Sequence, residues 1–189
     1  MNPLITHVVT TALMLPTMLL PTSTESVGGA PAATAALDWR CTGSSHSTNP
    51  PFGNPLTHWL IGARTNGSGG PISINRTRRY WLSEENLSTP QGTKPFFLST
   101  GFATCDYIQS TQSVTMLTPQ PAGQQPSCTA PGDYIQVEGG QVFAYRLIGQ
   151  RTSTTQGGPA STYRFWHKEK QGSPGLWAFQ SAGVARCPS

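Results

Sequence analysis

The segment that decides the fold is YIQVEGGQVFAYRLI, residues 134–148. Its second part alternates between two sets of side chains, Val142, Ala144 and Arg146 against Phe143, Tyr145 and Leu147. A period of two is that of a β-strand, whose successive side chains point to opposite faces. Glu138-Gly139-Gly140 interrupts the pattern, and adjacent glycines tolerate the positive φ of a tight turn. The segment therefore predicts a β-hairpin.

Similar strand signals recur outward from this hairpin. Residues 56–82 predict a second hairpin with its turn near Asn66, and further strands are predicted at 94–104, 107–117, 161–167 and 175–184. The chain has 20 glycines and 17 prolines, which disfavour long helices. About eight short strands at this spacing are typical of a sandwich or barrel. We expect an all-β, single disulfide-stabilised domain over residues 37–189, with long Gly/Pro-rich loops.

The N-terminal segment predicts secretion. Residues 4–20 are mainly apolar, and their length and position match the hydrophobic part of a signal peptide. Small residues follow, so Thr24-x-Ser26 and Ala33-x-Ala35 are both candidate cleavage sites. No Lys or Arg precedes the apolar run, which leaves an uncleaved anchor or a non-targeting stretch as alternatives. The predicted organisation is a signal peptide over 1–26, a flexible leader over 27–36 and the β domain, with no transmembrane anchor after cleavage.

The cysteine count is even, and the four cysteines lie far apart, at Cys41, Cys105, Cys128 and Cys187. Without a C-x-x-C pair, the spacing argues against zinc and against a thioredoxin-type redox site. It predicts two structural disulfides in an oxidising compartment. The favoured pairing joins Cys105 to Cys128 locally and Cys41 to Cys187 across the ends of the domain. Four buried free thiols are the alternative.

Three N-glycosylation sequons stand close together, at Asn66, Asn75 and Asn86. None has proline in its middle position, so each can accept a glycan in the secretory pathway. With the cysteines and the apolar N-terminus, they predict a secreted glycoprotein that passes through the endoplasmic reticulum.

The formal net charge is +4, and charged residues make up 11% of the chain. The basic residues are not clustered beyond one short run, so nucleic acid is not an expected partner. The charge is that of an ordinary, mildly basic extracellular protein, and an acidic partner such as a sulfated polysaccharide is the alternative interpretation.

That short basic run is Arg76-Thr77-Arg78-Arg79. It resembles the recognition sequence of furin-type proprotein convertases, which bind clustered guanidinium groups in acidic subsites. Cleavage requires an exposed, extended segment, whereas Tyr80-Trp81-Leu82 directly after it reads as a core strand. A basic strand face is the alternative interpretation.

No catalytic constellation stands out. The histidines after the leader, His46, His58 and His167, have no metal-ligand spacing, and no G-x-S-x-G motif is present. The spacing of the carboxylates selects no glycosidase pair. We therefore expect no enzyme, no catalytic residue, no metal and no cofactor, with a carbohydrate-active enzyme as the rival class.

One tetrapeptide recurs: Asp106-Tyr107-Ile108-Gln109 returns as Asp133-Tyr134-Ile135-Gln136. One interpretation is that the recurrence is a coincidence in a β protein of this composition. The alternative is that it reflects a structural duplication. Two copies do not indicate a repeat array.

The functional expectation is a secreted or surface-displayed binding protein that engages a protein receptor or immune ligand, as a viral or host glycoprotein does. A rigid β scaffold commonly carries its recognition surface on loops. The expected surface comprises the loops at 118–132 and 149–160 and the aromatic C-terminal strands with Trp166 and Trp177. A secreted protease inhibitor and a lectin-like glycan binder are alternatives.

Overall fold

The computed structural model describes residues 37–66, 76–173 and 175–189. It contains one helical turn and ten strands: α1 (Trp39–Thr42), β1 (His46–Thr48), β2 (Leu56–Asn66), β3 (Arg76–Thr89), β4 (Gly92–Asp106), β5 (Thr111–Leu117), β6 (Gln120–Pro121), β7 (Tyr134–Glu138), β8 (Gln141–Thr154), β9 (Ala160–Gln171) and β10 (Trp177–Pro188). The expectation of an all-β chain with two disulfides is confirmed. The predicted signal peptide and leader lie outside the described residues. Among the described residues, no helix is long and apolar enough to cross a membrane.

The strands form two five-stranded sheets. The first sheet has the order β1-β2-β3-β4-β5, and the second has the order β6-β10-β9-β8-β7. All pairings are antiparallel except the short one between β6 and β10. The hairpin predicted at 134–148 is confirmed as β7 and β8, and Gly139 and Gly140 have φ of 56° and 76° at its turn.

The main core lies between the sheets. Buried side chains from both sheets meet there, namely Tyr80, Leu82, Phe102, Tyr163, Phe165 and Val184. Tyr80 of β3 meets Phe165 of β9 edge to face, with ring centroids 6.5 Å apart. Side chains alternate between the two faces of a strand, so the residues between these core positions lie on the outer face of each sheet, away from the other sheet.

The two sheets repeat one sequence pattern. In β2 and β8 the repeated segments are Leu60-Ile61-Gly62-x-Arg64-Thr65 and Leu147-Ile148-Gly149-x-Arg151-Thr152. In β3 and β9 they are Arg79-x-Trp81-x-x-Glu84 and Arg164-x-Trp166-x-x-Glu169. In β4 and β10 they are Gly101-x-Ala103-x-Cys105 and Gly183-x-Ala185-x-Cys187. We call residues 41–105 the first half and residues 128–187 the second half.

The irregularities of the strands repeat as well. Ile61 in β2 and Ile148 in β8 are both unpaired bulge residues. Leu98 in β4 and Gln180 in β10 are also skipped in their ladders. Since bulges are set by local sequence and packing rather than by chance, their shared positions support an internal duplication.

The duplication is not the one suggested by the recurring tetrapeptide. Asp106 ends β4, and its carboxylate accepts hydrogen bonds from the amides of Ile108 and Gln109 in a turn. Asp133 precedes β7, where its carboxylate accepts the amide of Leu147 at 2.8 Å. The two copies have different structural positions, so their recurrence is a coincidence.

The predicted disulfide pairing is wrong, although all four cysteines are bonded. Cys41 pairs with Cys105 and Cys128 pairs with Cys187, with Cα atoms 5.7 and 5.5 Å apart. The physical reason is the duplication: each bond closes its own half, whereas the expected bonds would have joined one half to the other.

Each disulfide holds a covering segment over an outer face. In the first half Arg79 Nη2 donates to the carbonyl oxygen of Gly43. In the second half the equivalent Arg164 donates through Nη1 to the carbonyl oxygen of Cys128, at 2.8 Å. The buried indoles of Trp81 and Trp166 lie on these covered faces. The aromatic side chains that pack against the two indoles differ, with Trp39 against Trp81 and Tyr134 against Trp166.

Candidate functional site

A fully buried carboxylate, Glu169, ties the two sheets together. Its Oε1 accepts Arg64 Nε at 2.5 Å and the amide nitrogen of Asn66, and its Oε2 accepts Arg146 Nε at 3.3 Å. Burial acts to raise the pKa of Glu169, but the hydrogen bonds from Arg64 and Asn66 outweigh it and hold that pKa below the usual value. The side chain remains ionised in a water-poor place.

The first half contains the matching carboxylate, Glu84. Its Oε2 accepts Trp59 Nε1 at 2.6 Å and Arg151 Nη2 at 3.0 Å, and the Arg151 guanidinium lies 3.6 Å from the Trp59 ring centroid. Arg151 is the equivalent of Arg64, so each half supplies an arginine to the carboxylate of the other. Both carboxylates are therefore engaged in holding the sheets together, which is a structural arrangement.

His167 lies beside this network and has no exposed surface. Its Nδ1 is 2.6 Å from the hydroxyl of Tyr80 across the sheet interface. Burial lowers the pKa of His167 to about 3, and the cations Arg78, Arg64 and Arg146 add to this against the opposing effect of Glu169. The imidazole is neutral in the folded protein.

We expect the free energy of unfolding to fall as the pH falls below the ordinary histidine pKa of 6.5 toward about 3. In that window the unfolded chain binds a proton at His167 that the folded chain does not, so acid favours unfolding. Between about pH 7 and pH 5 the wild type should lose about 2 kcal/mol more than His167→Gln, whose amide keeps a partner for Tyr80. Urea titrations at both pH values test this, and parallel losses in the two proteins would contradict it.

A cleft of about 410 Å³, which we call the Trp166 cleft, lies beside the second half. It lies between β5 and β10, next to the segment that joins β5 to the second disulfide. Its walls are Met116, Leu117, Thr118, Gln120, Gln125, Pro126, Tyr145, Trp166, Lys168, Ser181, Ala182 and Gly183. A volume of this order, with aromatic walls and a few polar groups, is typical of ligand sites.

Trp166 provides the aromatic wall of the cleft and is only 1% exposed. Its indole Nε1 has no hydrogen-bond partner among the described residues, and the same holds for Trp81 in the first half. Buried indole N–H groups normally find an acceptor. The Trp166 Nε1 is itself buried, so this unpaired donor is not presented to the open part of the cleft.

The polar part of the cleft wall is held in place by hydrogen bonds. Lys168 Nζ donates to Glu138 Oε2 at 2.6 Å, and the Tyr145 hydroxyl donates to Glu138 Oε1 at 2.7 Å. Burial acts to lower the pKa of Lys168, but the contacts with Glu138 and Tyr145 raise it above its ordinary value. Tyr145 also stacks on Tyr134, with ring centroids 4.6 Å apart. The ammonium group is thus a fixed charge.

The same place in the first half is filled by the chain itself. Trp39 lies over it, with its ring centroid 4.9 Å from that of His58 and 6.3 Å from that of Trp81. His58 and Trp81 are the equivalents of Tyr145 and Trp166. Counted back from the paired cysteines, Trp39 and Arg40 correspond to Pro126 and Ser127, which are smaller. In the second half Tyr134 packs against the equivalent rings, with its ring centroid 4.6 Å from that of Tyr145 and 5.4 Å from that of Trp166.

The two tryptophans predicted for a binding surface do not lie together. Trp166 lines the cleft, whereas Trp177 begins β10 and has the Arg146 guanidinium 5.7 Å from its ring centroid. Of the two predicted loops, the one at 118–132 borders the cleft. The loop predicted at 149–160 is wrong for most of its length, because β8 continues to Thr154 and β9 begins at Ala160.

Sequence reasoning missed Tyr145, Lys168 and Ser181 as cleft residues. Lys168 stands two residues after Trp166 in β9, so the strand period places both on one face. The sequence did not show which face of β9 points away from the other sheet. Comparison of β9 with β3 in the duplicated fold identifies that face.

The candidate processing segment, Arg76 to Arg79, lies within β3, which is paired on both sides by β2 and β4. The guanidinium of Arg78 lies 3.6 Å from the Phe179 ring centroid. This placement favours a structural role for the arginines in the folded protein.

The three sequons have different environments. The amide nitrogen of Asn66 is buried against Glu169, and the amide nitrogen of Asn86 donates to Thr57 Oγ1 at 2.9 Å from a half-buried position. Asn75 lies outside the described residues, as do Gly67 and Ser68 of the first sequon.

Within residues 37–66, 76–173 and 175–189, no group of three or more His, Cys, Asp or Glu side chains is arranged to hold a metal ion. Comparison of the chain with protein-family models, with curated proteins and with solved structures found no match.

Proposed function

We propose that the chain is a secreted binding protein that holds a protein partner at the Trp166 cleft. The observation that carries the proposal is the asymmetry of the duplicated fold. In the first half Trp39 packs against Trp81, whereas in the second half the smaller Pro126 stands at the corresponding position of the sequence and lines the cleft. An opening that the fold itself does not require is a place where recognition can reside.

The surroundings of the cleft support binding rather than catalysis. The two buried carboxylates, Glu84 and Glu169, lie on the inner faces and are already bonded to arginines. The cleft itself contains one lysine, whose partner Glu138 neutralises it. Aromatic walls with a small number of fixed polar groups suit recognition of a partner. The two disulfides are compatible with the extracellular compartment that this role requires.

The test is a partner-capture experiment with a filled cleft. Ser181 is exposed and lines the cleft, so Ser181→Trp should occupy the space without disturbing the core. Ser113→Trp is the matched control, because Ser113 is exposed on β5 and does not line the cleft. We expect a cell-surface or serum partner to bind the wild type and the control equally, and Ser181→Trp at least tenfold more weakly. Equal binding by all three proteins would overturn the proposal.

A glycoprotein of this structure should carry its glycans selectively. In protein secreted from mammalian cells, we expect Asn86 to be occupied and Asn66 to be free, since the Asn66 amide is buried against Glu169 with no room for a glycan, whereas Asn86 is only half-buried. Asn86→Gln should then remove one glycosidase-sensitive mobility step, and Asn66→Gln should remove none. Glycopeptide mass spectrometry gives the occupancy of each site. A fully occupied Asn66 in folded protein would contradict the expectation.

A further inference from the structure

We infer that the end of the sandwich around Glu169 binds the sulfate groups of an acidic polysaccharide through a cluster of three arginines, Arg64, Arg78 and Arg146. The inference is independent of the Trp166 cleft, because none of these arginines lines that cleft. Its basis is a difference between the two ends of the duplicated fold, each of which contains one buried carboxylate.

The first difference concerns the partners of the two carboxylates. At one end, which we call the Glu84 end, Trp59 Nε1 donates to Glu84 Oε2 at 2.6 Å. At the other, the Glu169 end, the equivalent residue is Arg146, which donates through Nε to Glu169 Oε2 at 3.3 Å. The fold therefore accepts a neutral donor at the position where the Glu169 end has a cation.

The second difference concerns a pair of stacked side chains. At the Glu84 end the rings of Phe97 and Tyr163 stack, with centroids 4.4 Å apart and planes 5° apart. Counted along the repeated segments, Phe179 and Arg78 are the equivalent residues at the Glu169 end, and the Arg78 guanidinium lies 3.6 Å from the Phe179 ring centroid. The stack itself needs no charge. Two positions that are uncharged at one end thus hold arginines at the other.

The three arginines outnumber the carboxylates around them. Arg64 pairs with Glu169, and Arg146 is shared between Glu169 and the partly exposed Asp133. Among the described residues, no carboxylate lies within ion-pair distance of the Arg78 guanidinium. The cluster therefore has an excess of positive charge that the described part of the fold does not neutralise.

The position of Arg78 is unfavourable without an anion. Arg78 lies directly opposite Arg64 in the ladder between β2 and β3, and like charges directly opposite each other destabilise a sheet. Burial lowers the pKa of Arg78, Tyr80 opposes this, and the nearby cation Arg76 adds to the lowering. All three arginines of the cluster also act on the pKa of His167, so their charges lie close together. A bound anion offsets this repulsion.

Solvent reaches the cluster. The side chains of Arg64 and Arg146 are 35% and 24% exposed, and Arg78 is half-buried. Stacking on Phe179 uses the flat face of the Arg78 guanidinium, whereas the N–H donors of a guanidinium lie in its plane. The stack therefore orients this group without using its donors. Guanidinium groups bind oxyanions through paired N–H donors of this kind.

The surroundings favour a polysaccharide that carries several sulfate groups. Arg76 is exposed and lies two residues before Arg78, on the same face of β3, so it extends the cluster. Trp177 is half-buried, and the Arg146 guanidinium lies 5.7 Å from its ring centroid, so a flat aromatic surface for a sugar ring adjoins the cations. Guanidinium groups from both sheets can engage successive sulfates of one chain. The two disulfides are compatible with the extracellular compartment in which such polysaccharides occur.

The experiment measures binding of the full secreted protein to a heparin-derived hexasaccharide by isothermal titration calorimetry. Arg78→Tyr introduces the residue type of the equivalent Tyr163, which stacks on phenylalanine, so this variant should fold. Arg76→Ser likewise introduces the residue type of the equivalent Ser161, at an exposed position, and it carries the test if Arg78→Tyr does not fold. Arg186→Gln is the matched control for net charge, because Arg186 is exposed and pairs with Tyr163 at the Glu84 end.

We expect the wild type and Arg186→Gln to bind the hexasaccharide with similar affinity. Arg78→Tyr should bind it at least tenfold more weakly, and Arg76→Ser about threefold more weakly. Binding should weaken as NaCl is added, because salt screens interactions between exposed charges. The same hexasaccharide without its sulfate groups, and a hyaluronan hexasaccharide, which has carboxylates only, should each bind the wild type at least tenfold more weakly.

The other outcomes overturn the inference in distinguishable ways. Unchanged affinity in both Arg78→Tyr and Arg76→Ser would show that the cluster does not hold the polysaccharide. Inorganic sulfate bound as tightly as the hexasaccharide would indicate a site for a small anion, and polyglutamate bound as tightly would indicate an acidic protein partner. Ser181→Trp, which fills the Trp166 cleft, should bind the hexasaccharide like the wild type, so failure of the proposed function leaves this inference standing.

Discussion

Replacing Glu169 with Gln should lower the free energy of unfolding by about 3 kcal/mol, which makes it one of the two most damaging single substitutions that we expect. The carboxylate has no exposed surface and accepts hydrogen bonds from Arg64, Asn66 and Arg146. Gln keeps the shape but removes the charge, so two arginines face a neutral group that itself presents a donor. The loss of a buried charge partner typically costs 3–5 kcal/mol, and the partial exposure of the arginines places this case at about the lower end.

Urea denaturation at neutral pH measures the effect. With a slope of about 2 kcal/mol per molar urea, the midpoint should fall by about 1.5 M. Glu85→Gln is the matched control, because Glu85 follows the equivalent carboxylate Glu84 and is only half-buried, with Asn54 as its partner at 2.9 Å. We expect the control to cost less than about 1 kcal/mol. Similar midpoints for Glu169→Gln and the wild type would show that the inter-sheet network does not stabilise the fold.

The duplication explains why such single positions matter so much. Arg64 of the first half reaches Glu169 of the second, and Arg151 of the second half reaches Glu84 of the first. Neither half therefore completes its own polar contacts. The sheets are held together by two crossed ion pairs on either side of an apolar centre formed by residues such as Tyr80 and Phe165.

The strands could be predicted from the sequence because their signal is local. The alternation in 141–148 and the glycines before it define a hairpin without any knowledge of the rest of the chain. The end of β8 could not be found in this way, because Gly149 reads as a strand breaker. In the structure Gly149 is inside the strand, where the backbone of another strand approaches it.

The disulfides and the cleft depend on relationships that are not local. The pairing of Cys41 with Cys105 follows once the two halves are recognised as a duplication. The residues that are identical between the halves are few, however, and insertions separate them. The recurring Asp-Tyr-Ile-Gln tetrapeptide is contiguous and therefore more visible, yet it carries no structural equivalence. Trp166 and Trp177 both lie in predicted aromatic strands, so the sequence does not distinguish them. The pairing of β9 with β10 and the second disulfide determine which of the two lines the cleft.

The contact at the centre of the molecule leads to the second large prediction. Gly62 in β2 and Gly149 in β8 face each other's bulge residue across the sheet interface. A Cβ at Gly149 would lie 2.8 Å from the carbonyl oxygen of Ile61, and a Cβ at Gly62 would lie 2.9 Å from that of Ile148. A backbone oxygen cannot rotate away as a side chain can. Gly149→Ala should therefore force the strands apart and destabilise the protein by about 3 kcal/mol, the upper part of the usual range for overpacking.

A double-mutant cycle tests this reading of the contact. If one separation of the strands relieves both clashes, the variant with Gly62→Ala and Gly149→Ala together should lose less than the sum of the single losses, by 1 kcal/mol or more on the order of known couplings between neighbours. Gly172→Ala is the control, since no atom lies within 4 Å of its Cβ position, and its effect should stay within about 0.5 kcal/mol. Losses that simply add would mean that each glycine is constrained separately. A loss at Gly149 no larger than that at Gly172 would mean that the sheets do not approach so closely in solution.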